Sequence, residues 1–179
     1  MWCWPTRQFC SHSSGESALA ASQFQAKSED DTDRLGQAVA GILQAGDVVT
    51  LNGELGAGKT RLVRAIVTSL TGDSQLVNSP TFVLIQQYPA AIPIYHMDAY
   101  RLSNEDEFLA LGAEEILEGD GVCLIEWAER IAGVLPADHL RIDIISTGEY
   151  TRQFRISGTG SRSIQMVNQL RLLLNDDSE

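Results

Sequence analysis

Cysteine is scarce in this sequence, and long apolar runs are missing from it. Two of the three cysteines lie near the start, and Cys123 lies inside an apolar segment. An odd number without regular spacing excludes a disulfide framework and favours a reducing compartment. No uninterrupted apolar run approaches the ~18 residues that a membrane-spanning helix requires. We therefore predict a soluble, cytoplasmic protein with no membrane partner.

Basic residues are also few, with 13 Lys and Arg against 24 Asp and Glu, for a formal net charge of −11. Such a molecule repels nucleic-acid phosphates, and no local basic patch offsets this repulsion. A role in RNA chemistry would therefore need a partner that holds the RNA. ATP remains a possible ligand, because backbone N–H groups, one lysine and a metal ion supply positive field locally. The Asn-Lys-x-Asp segment by which GTPases read guanine does not occur, which disfavours a GTPase.

The length of 179 residues and the 44% hydrophobic content suit one domain with one sizeable core. Residues 1–27 are rich in Ser and Ala and carry few charges, so we predict a disordered N-terminal extension. The folded domain is predicted to span residues 28–179.

Helical and extended patterns alternate along that domain. Helical spacing of apolar residues predicts one helix between Ser28 and Gly46 and another from Lys59 to Gly72. The acidic stretch 104–117 and the segment 164–174 predict two more. Short β-branched or apolar runs predict strands, at residues 47–52, 81–88, 92–97, 122–125, 139–145 and 152–156.

A glycine-rich segment between the first predicted strand and the second predicted helix matches G-x-x-x-x-G-K-[ST], the Walker A motif. Its glycines let backbone N–H groups surround a phosphate, and the helix N-terminus adds partial positive charge. The lysine reaches the β- and γ-phosphates, and the threonine hydroxyl ligates magnesium. We expect ATP and Mg²⁺ to bind here, at Gly53, Glu54, Leu55, Gly56, Ala57, Gly58, Lys59 and Thr60.

Hydrolysis needs an acid at the end of a neighbouring buried strand, to hold the metal or to orient the attacking water. Glu126 follows four apolar strand residues, and Asp98 ends the strand predicted before it, where it shares a face with His96. Spacing leaves the attacking-water role open between Asp98 and Glu126. Trp127 could simply pack beside the strand, or it could stack on a base or on a side chain of a partner. The segment Ser79-Pro80-Thr81 could be a routine turn, or a switch whose hydroxyl contacts the γ-phosphate.

Four segments together resemble the TsaE (YjeE) family in order and spacing, over about Thr32 to Ile145. They are the glycine-rich loop, Ser-Pro-Thr-Phe at 79–82, His-Met-Asp-Ala-Tyr-Arg-Leu at 96–102 and Leu-Ile-Glu-Trp at 124–127. The resemblance implies a single-domain, P-loop NTPase-like α/β fold, a three-layer sandwich with a central mixed sheet flanked by helices. It also implies a slow ATPase that acts on TsaD and TsaB to make threonylcarbamoyladenosine at position 37 of tRNA, which it meets only through that complex.

The same resemblance implies roles for individual residues. Lys59 would neutralise phosphate charge, Thr60 and Glu126 would organise magnesium, and Asp98 would assist the metal or the attacking water. Thr81 is similar to the family's switch hydroxyl. Trp127 would lie near the nucleotide or the partner surface, and Thr32 near the adenine. Two other functions remain open, a nucleotide-gated scaffold that does not require hydrolysis and a small-molecule P-loop kinase.

Overall fold

The computed structural model describes residues 21–77 and 84–175 of the chain. Within these ranges a seven-stranded sheet is flanked by five α-helices and the 3₁₀ helix Ala128–Val134. The strands are β1 (Ala21–Ala26), β2 (Val48–Asn52), β3 (Ile85–Tyr88), β4 (Ile94–Asp98), β5 (Val122–Glu126), β6 (Leu140–Ser146) and β7 (Arg152–Gly158). The helices are α1 (Glu29–Ile42), α2 (Lys59–Thr71), α3 (Glu105–Leu109), α4 (Ala113–Leu117) and α5 (Ser161–Asn175).

The strands are ordered β1-β7-β6-β2-β5-β4-β3 across the sheet. The four central strands β6, β2, β5 and β4 run parallel, and antiparallel pairings add β7 and β1 at one side and β3 at the other. The sheet is therefore mixed, as predicted. Because parallel strands end at one edge, their carboxyl ends together form a crevice there, which is where α/β sheets bind ligands.

Helices cover both faces of the sheet, giving three layers. On one face α1, α2 and α5 pack over the sheet through buried residues such as Leu35, Ile66 and Val167. The other face is covered by α3, α4 and the 3₁₀ helix, where Phe108 and Ile131 are buried. The predicted α/β fold class is confirmed.

Local sequence explains where the helices of the first layer begin. Ser28 caps α1: its side chain accepts a hydrogen bond from the backbone N–H of Asp31, whose carboxylate accepts one from the backbone N–H of Ser28. The helix α2 begins at Lys59, after Gly58 in the left-handed region, and ends at Thr71, followed by Gly72, which is also left-handed. Among residues 21–77 and 84–175, no helix is both long and apolar enough to cross a membrane.

Two of the sequence predictions need correction. The prediction of disorder was wrong for residues 21–26, because these form β1, which pairs antiparallel with β7 and packs the Phe24 ring against that of Phe154 in a tilted arrangement. This pairing satisfies backbone groups that β7 would otherwise leave open along its edge. Residues 1–20 lie outside the described residues. The helix predicted over 104–117 is broken into α3 and α4, since Gly112 adopts a left-handed φ of 76° between them.

Candidate functional site

The glycine-rich loop connects the end of β2 to the start of α2 at the carboxyl edge of the central strands. Gly53 has φ +144°, and a Cβ built there would lie 2.5 Å from the Ile144 carbonyl oxygen. Gly58, just before α2, has φ +108°. Both positions therefore require glycine, one for close approach and one for backbone conformation.

Within the loop, one residue is exposed to solvent and another is buried and held by a hydrogen bond. Leu55 is 80% exposed, whereas Ala57 is buried. Arg152, the first residue of β7, donates a hydrogen bond from Nε to the Ala57 carbonyl at 2.9 Å. The same guanidinium donates to the carbonyls of Gly148 and Glu149 in the β6–β7 turn. Arg152 thus ties the β6–β7 turn to the loop that precedes α2.

Lys59 lies inside the curve of the loop and is buried. Its ammonium donates to the carbonyls of Gly53 at 2.7 Å and Glu54 at 2.9 Å, and it lies 3.8 Å from the ring centroid of Trp127. Burial lowers the pKa of Lys59, and nearby carboxylates, Glu126 foremost, act in the opposite direction. The ammonium is therefore held by neutral backbone carbonyls and an aromatic ring.

Two carboxylates end neighbouring parallel strands beside the loop. Asp98 and Glu126 are paired in the register of β4 and β5, and both are buried. The Thr60 hydroxyl donates to Glu126 Oε1 at 2.7 Å, and the backbone N–H of Tyr100 donates to Asp98 Oδ1 at 2.9 Å. Asp98 and Glu126, the two acids predicted from the sequence, are 28 residues apart in the chain. In the structure they lie side by side, next to the threonine of the loop.

These groups suit a hard divalent cation such as magnesium. Thr60, Asp98 and Glu126 offer hydroxyl and carboxylate oxygens in one cavity with the loop. Magnesium prefers one or two carboxylates, with waters and substrate phosphates completing its shell. Across residues 21–77 and 84–175 no three His, Cys, Asp or Glu side chains form a metal cage.

A cavity of about 260 Å³ brings most of the predicted site residues together. Trp127 forms one wall, with a left-handed backbone φ of 59° immediately after β5. Its ring lies 4.9 Å from that of Tyr100, and the Arg130 guanidinium lies 5.4 Å from the Tyr100 ring. The lining residues are Leu55, Gly56, Gly58, Lys59, Thr60, Arg61, Asp98, Tyr100, Glu126 and Trp127.

A second cavity, of about 210 Å³, adjoins the first and shares Gly56, Gly58 and Arg61 with it. Thr32, a buried residue of α1, lines this second cavity together with Tyr150 of the β6–β7 turn. The structure therefore separates Thr32 from Trp127 and places them in different cavities. A larger cavity of about 500 Å³, between α1 and α2, contains no residue of the glycine-rich loop.

Thr81, with Ser79 and Pro80, lies outside the described residues, so its switch role stays a prediction. Sequence reasoning missed several residues that line or support the site, among them Arg61 and Tyr100 of the first cavity, and also Arg152 and Tyr88. Arg152 lies 95 positions from its partner Ala57, and no local pattern marks such a contact. Tyr88 reaches the site only through His96, which sequence analysis noted merely as sharing a face with Asp98.

Known proteins resemble this chain both in sequence and in structure. The model of the family described as "Threonylcarbamoyl adenosine biosynthesis protein TsaE" matches residues 26–154. The chain belongs to the TsaE family. The matched range contains every residue that lines the 260 Å³ and 210 Å³ cavities.

Individual TsaE relatives agree with the family match. The tRNA threonylcarbamoyladenosine biosynthesis protein TsaE of Bacillus subtilis is 39% identical over 142 residues, which is 79% of this chain and 88% of the relative. The protein of the same name from Treponema pallidum is 39% identical over 131 residues, covering 73% and 96%. The crystal structure of YdiB from Bacillus subtilis superposes with a TM-score of 0.74 at 30% identity, covering 89% of this chain and 98% of YdiB.

Proposed function

We propose that this TsaE-family protein is an ATPase of tRNA threonylcarbamoyladenosine biosynthesis that binds ATP with Mg²⁺ and acts on TsaD and TsaB. The observation that carries the proposal is the 260 Å³ cavity, where the loop and Lys59 lie beside the Thr60–Glu126 pair and Asp98. A cation, an oxygen-ligand set and oriented loop amides in one crevice are the requirements for holding and cleaving a triphosphate. The pathway in the proposal is the one for which the relatives from Bacillus subtilis and Treponema pallidum are named.

Each side chain has a role that follows from its position. Lys59 would leave the loop carbonyls to meet the phosphate oxygens, since charge pairing is stronger than its bonds to neutral carbonyls. Thr60 and Glu126 would hold the metal, and bound magnesium would neutralise charge on the transferred phosphoryl group. Asp98, at the end of the adjacent strand, would orient the attacking water or assist the metal. Thr81 remains a proposed switch.

The second cavity is the proposed place for the base of ATP. Thr32 and Tyr150 line it, and it meets the first cavity at Gly56 and Gly58 of the loop. One nucleotide crossing the loop would then have its phosphates beside Glu126 and its base beside Thr32. Trp127 would contact the phosphate end of the nucleotide or a partner protein.

The remaining parts of the proposal concern surroundings and partners. A net charge of −11 opposes direct binding of tRNA, so TsaD and TsaB would hold the tRNA. A cytoplasmic location suits a protein whose Cys123 is a buried free thiol.

Phosphate release from ATP, measured for the full chain alone and then with TsaB and TsaD, tests this function. We expect slow release alone and faster release with the pair. Lys59→Ala and Glu126→Gln should abolish release, whereas Glu118→Gln removes an exposed carboxylate away from both cavities and should change nothing. Normal release by both site variants would contradict the site assignment. Tight ATP binding without release in either mixture would instead support the nucleotide-gated scaffold.

A further inference from the structure

Behind Glu126 lies a buried chain of polar side chains. His96 Nε2 lies 2.8 Å from Glu126 Oε1, and His96 Nδ1 lies 3.4 Å from the Tyr88 hydroxyl. His96 is fully inaccessible to solvent, and Tyr88 and Glu126 are 2% and 3% exposed. A histidine buried this deeply between two polar partners fixes the geometry of both, because neither can turn to water instead.

The sheet register explains why these side chains meet. Tyr88, His96 and Glu126 come from the adjacent strands β3, β4 and β5, where Tyr88 pairs with Ile94 and Glu126 pairs with Asp98. Residues paired across strands point to the same face, and so do residues two apart along one strand. All three side chains therefore lie on the face of the sheet that α2 covers, which is also the face from which Thr60 reaches Glu126.

The direction of the hydrogen bonds follows from their chemistry. A carboxylate accepts hydrogen bonds and carries no hydrogen of its own, so His96 Nε2 carries the hydrogen and donates it to Glu126. In the neutral imidazole Nδ1 then accepts from the Tyr88 hydroxyl, which fixes the tautomer and the ring orientation. Glu126 Oε1 thus receives two donors, Thr60 from α2 and His96 from β4.

We propose that His96 is a positioning residue that holds the Glu126 carboxylate in its metal-binding orientation and is itself oriented by Tyr88. This inference rests on the proposed binding of ATP with Mg²⁺ at the loop. Thr60 would contribute its oxygen to the same metal, whereas His96 donates to Glu126 Oε1 and lines neither of the two cavities beside the loop. His96 would therefore hold the carboxylate from outside the space proposed for the nucleotide and the metal.

Removing a donor behind a metal-binding carboxylate lowers metal affinity by about 10- to 100-fold in other proteins. The test compares His96→Leu, which has no donor, with His96→Gln, whose amide nitrogen can replace Nε2 as the donor. Fluorescence of methylanthraniloyl-ATP reports binding, measured once across a range of Mg²⁺ concentrations and once in EDTA. Thermal unfolding of every variant verifies folding, and His96→Met replaces His96→Leu if the leucine variant does not fold.

We expect His96→Leu to raise the half-saturating Mg²⁺ concentration about tenfold or more, with nucleotide affinity in EDTA unchanged. His96→Gln should restore most of the Mg²⁺ dependence. Equal Mg²⁺ dependence in wild type and His96→Leu would overturn the inference, and so would equal shifts in the Leu and Gln variants, because a packing defect would produce those. If the wild-type protein shows no Mg²⁺-dependent nucleotide binding, the proposed function itself fails.

Discussion

Substitution of Arg152 tests directly whether β7 supports the glycine-rich loop. Its Nε donates to the Ala57 carbonyl at 2.9 Å, one peptide before Gly58 and the start of α2. That bond sets the orientation of the peptide whose neighbouring N–H groups would face a phosphate. Arg152→Ala removes this donor and leaves the Ala57 carbonyl without its bond to β7, while the bonds from Lys59 to the Gly53 and Glu54 carbonyls remain.

The size of the effect follows from the kind of bond. A hydrogen bond from a charged donor contributes about 1.5–3 kcal/mol, and the lower end applies because Arg152 is partly exposed. If the loop leaves its binding geometry once the bond is lost, nucleotide binding must supply the free energy that restores this geometry, about 1.5 kcal/mol. The affinity for the nucleotide should then be roughly tenfold weaker. Since the bond involves no metal ligand, the loss should be the same with Mg²⁺ and with EDTA.

Titration of methylanthraniloyl-ATP against the variant, with and without Mg²⁺, measures this loss. Arg155→Ala is the matched control, because it removes an equal charge from an exposed position of the same strand. The control should bind like wild type. Wild-type affinity in Arg152→Ala would refute the supporting role, and equal losses in the two variants would show that charge alone, and not the bond to Ala57, matters.

Two further predictions concern stability. Burial raises the pKa of Cys123 from 9.0 to about 12. Because the thiol therefore ionises at lower pH in the unfolded chain than in the folded one, the free energy of unfolding should fall by about 4 kcal/mol at most as the pH rises from 9 to 12. Denaturant unfolding across that range should show a shallower decline for Cys123→Ala, and parallel curves would contradict the assignment. Phe24→Ala should lower the free energy of unfolding by about 1–3 kcal/mol because Phe24 packs on Phe154, whereas the exposed Gln25→Ala should not. Equal stability of the two β1 variants would argue against the pairing of β1 with β7.

The central part of the site was predictable because its signals are local. Gly53 and Gly58 lie between a strand pattern and a helix pattern, and that context specifies a phosphate-type loop within one stretch of chain. Glu126 ends an apolar run that reads as a buried strand, and Asp98 ends the preceding strand. Parallel strands bring such ends to one edge, so their proximity followed from the fold class.

Other features depend on contacts between distant segments, which periodicity does not report. The strand β1 contains one large apolar residue, Phe24, in a short alternating segment, so the sequence alone does not distinguish it from a disordered tail, and its pairing with β7 does. Arg152 was an ordinary residue of a predicted strand until the fold brought it to Ala57. His96 was visible as a neighbour of Asp98, but its partner Glu126 lies 30 residues away.

Arg152 and His96, which contact the site from outside it, should affect nucleotide binding in different ways. Arg152 acts on the loop that would hold the phosphates, so its loss should weaken nucleotide binding whether or not Mg²⁺ is present. His96 acts on the carboxylate that would hold the metal, so its loss should appear only in the Mg²⁺ dependence. Because their contacts share no residue, the effects of Arg152→Ala and His96→Leu should add in the double variant. Strong coupling between them would instead mean that the loop and the carboxylate move as one unit.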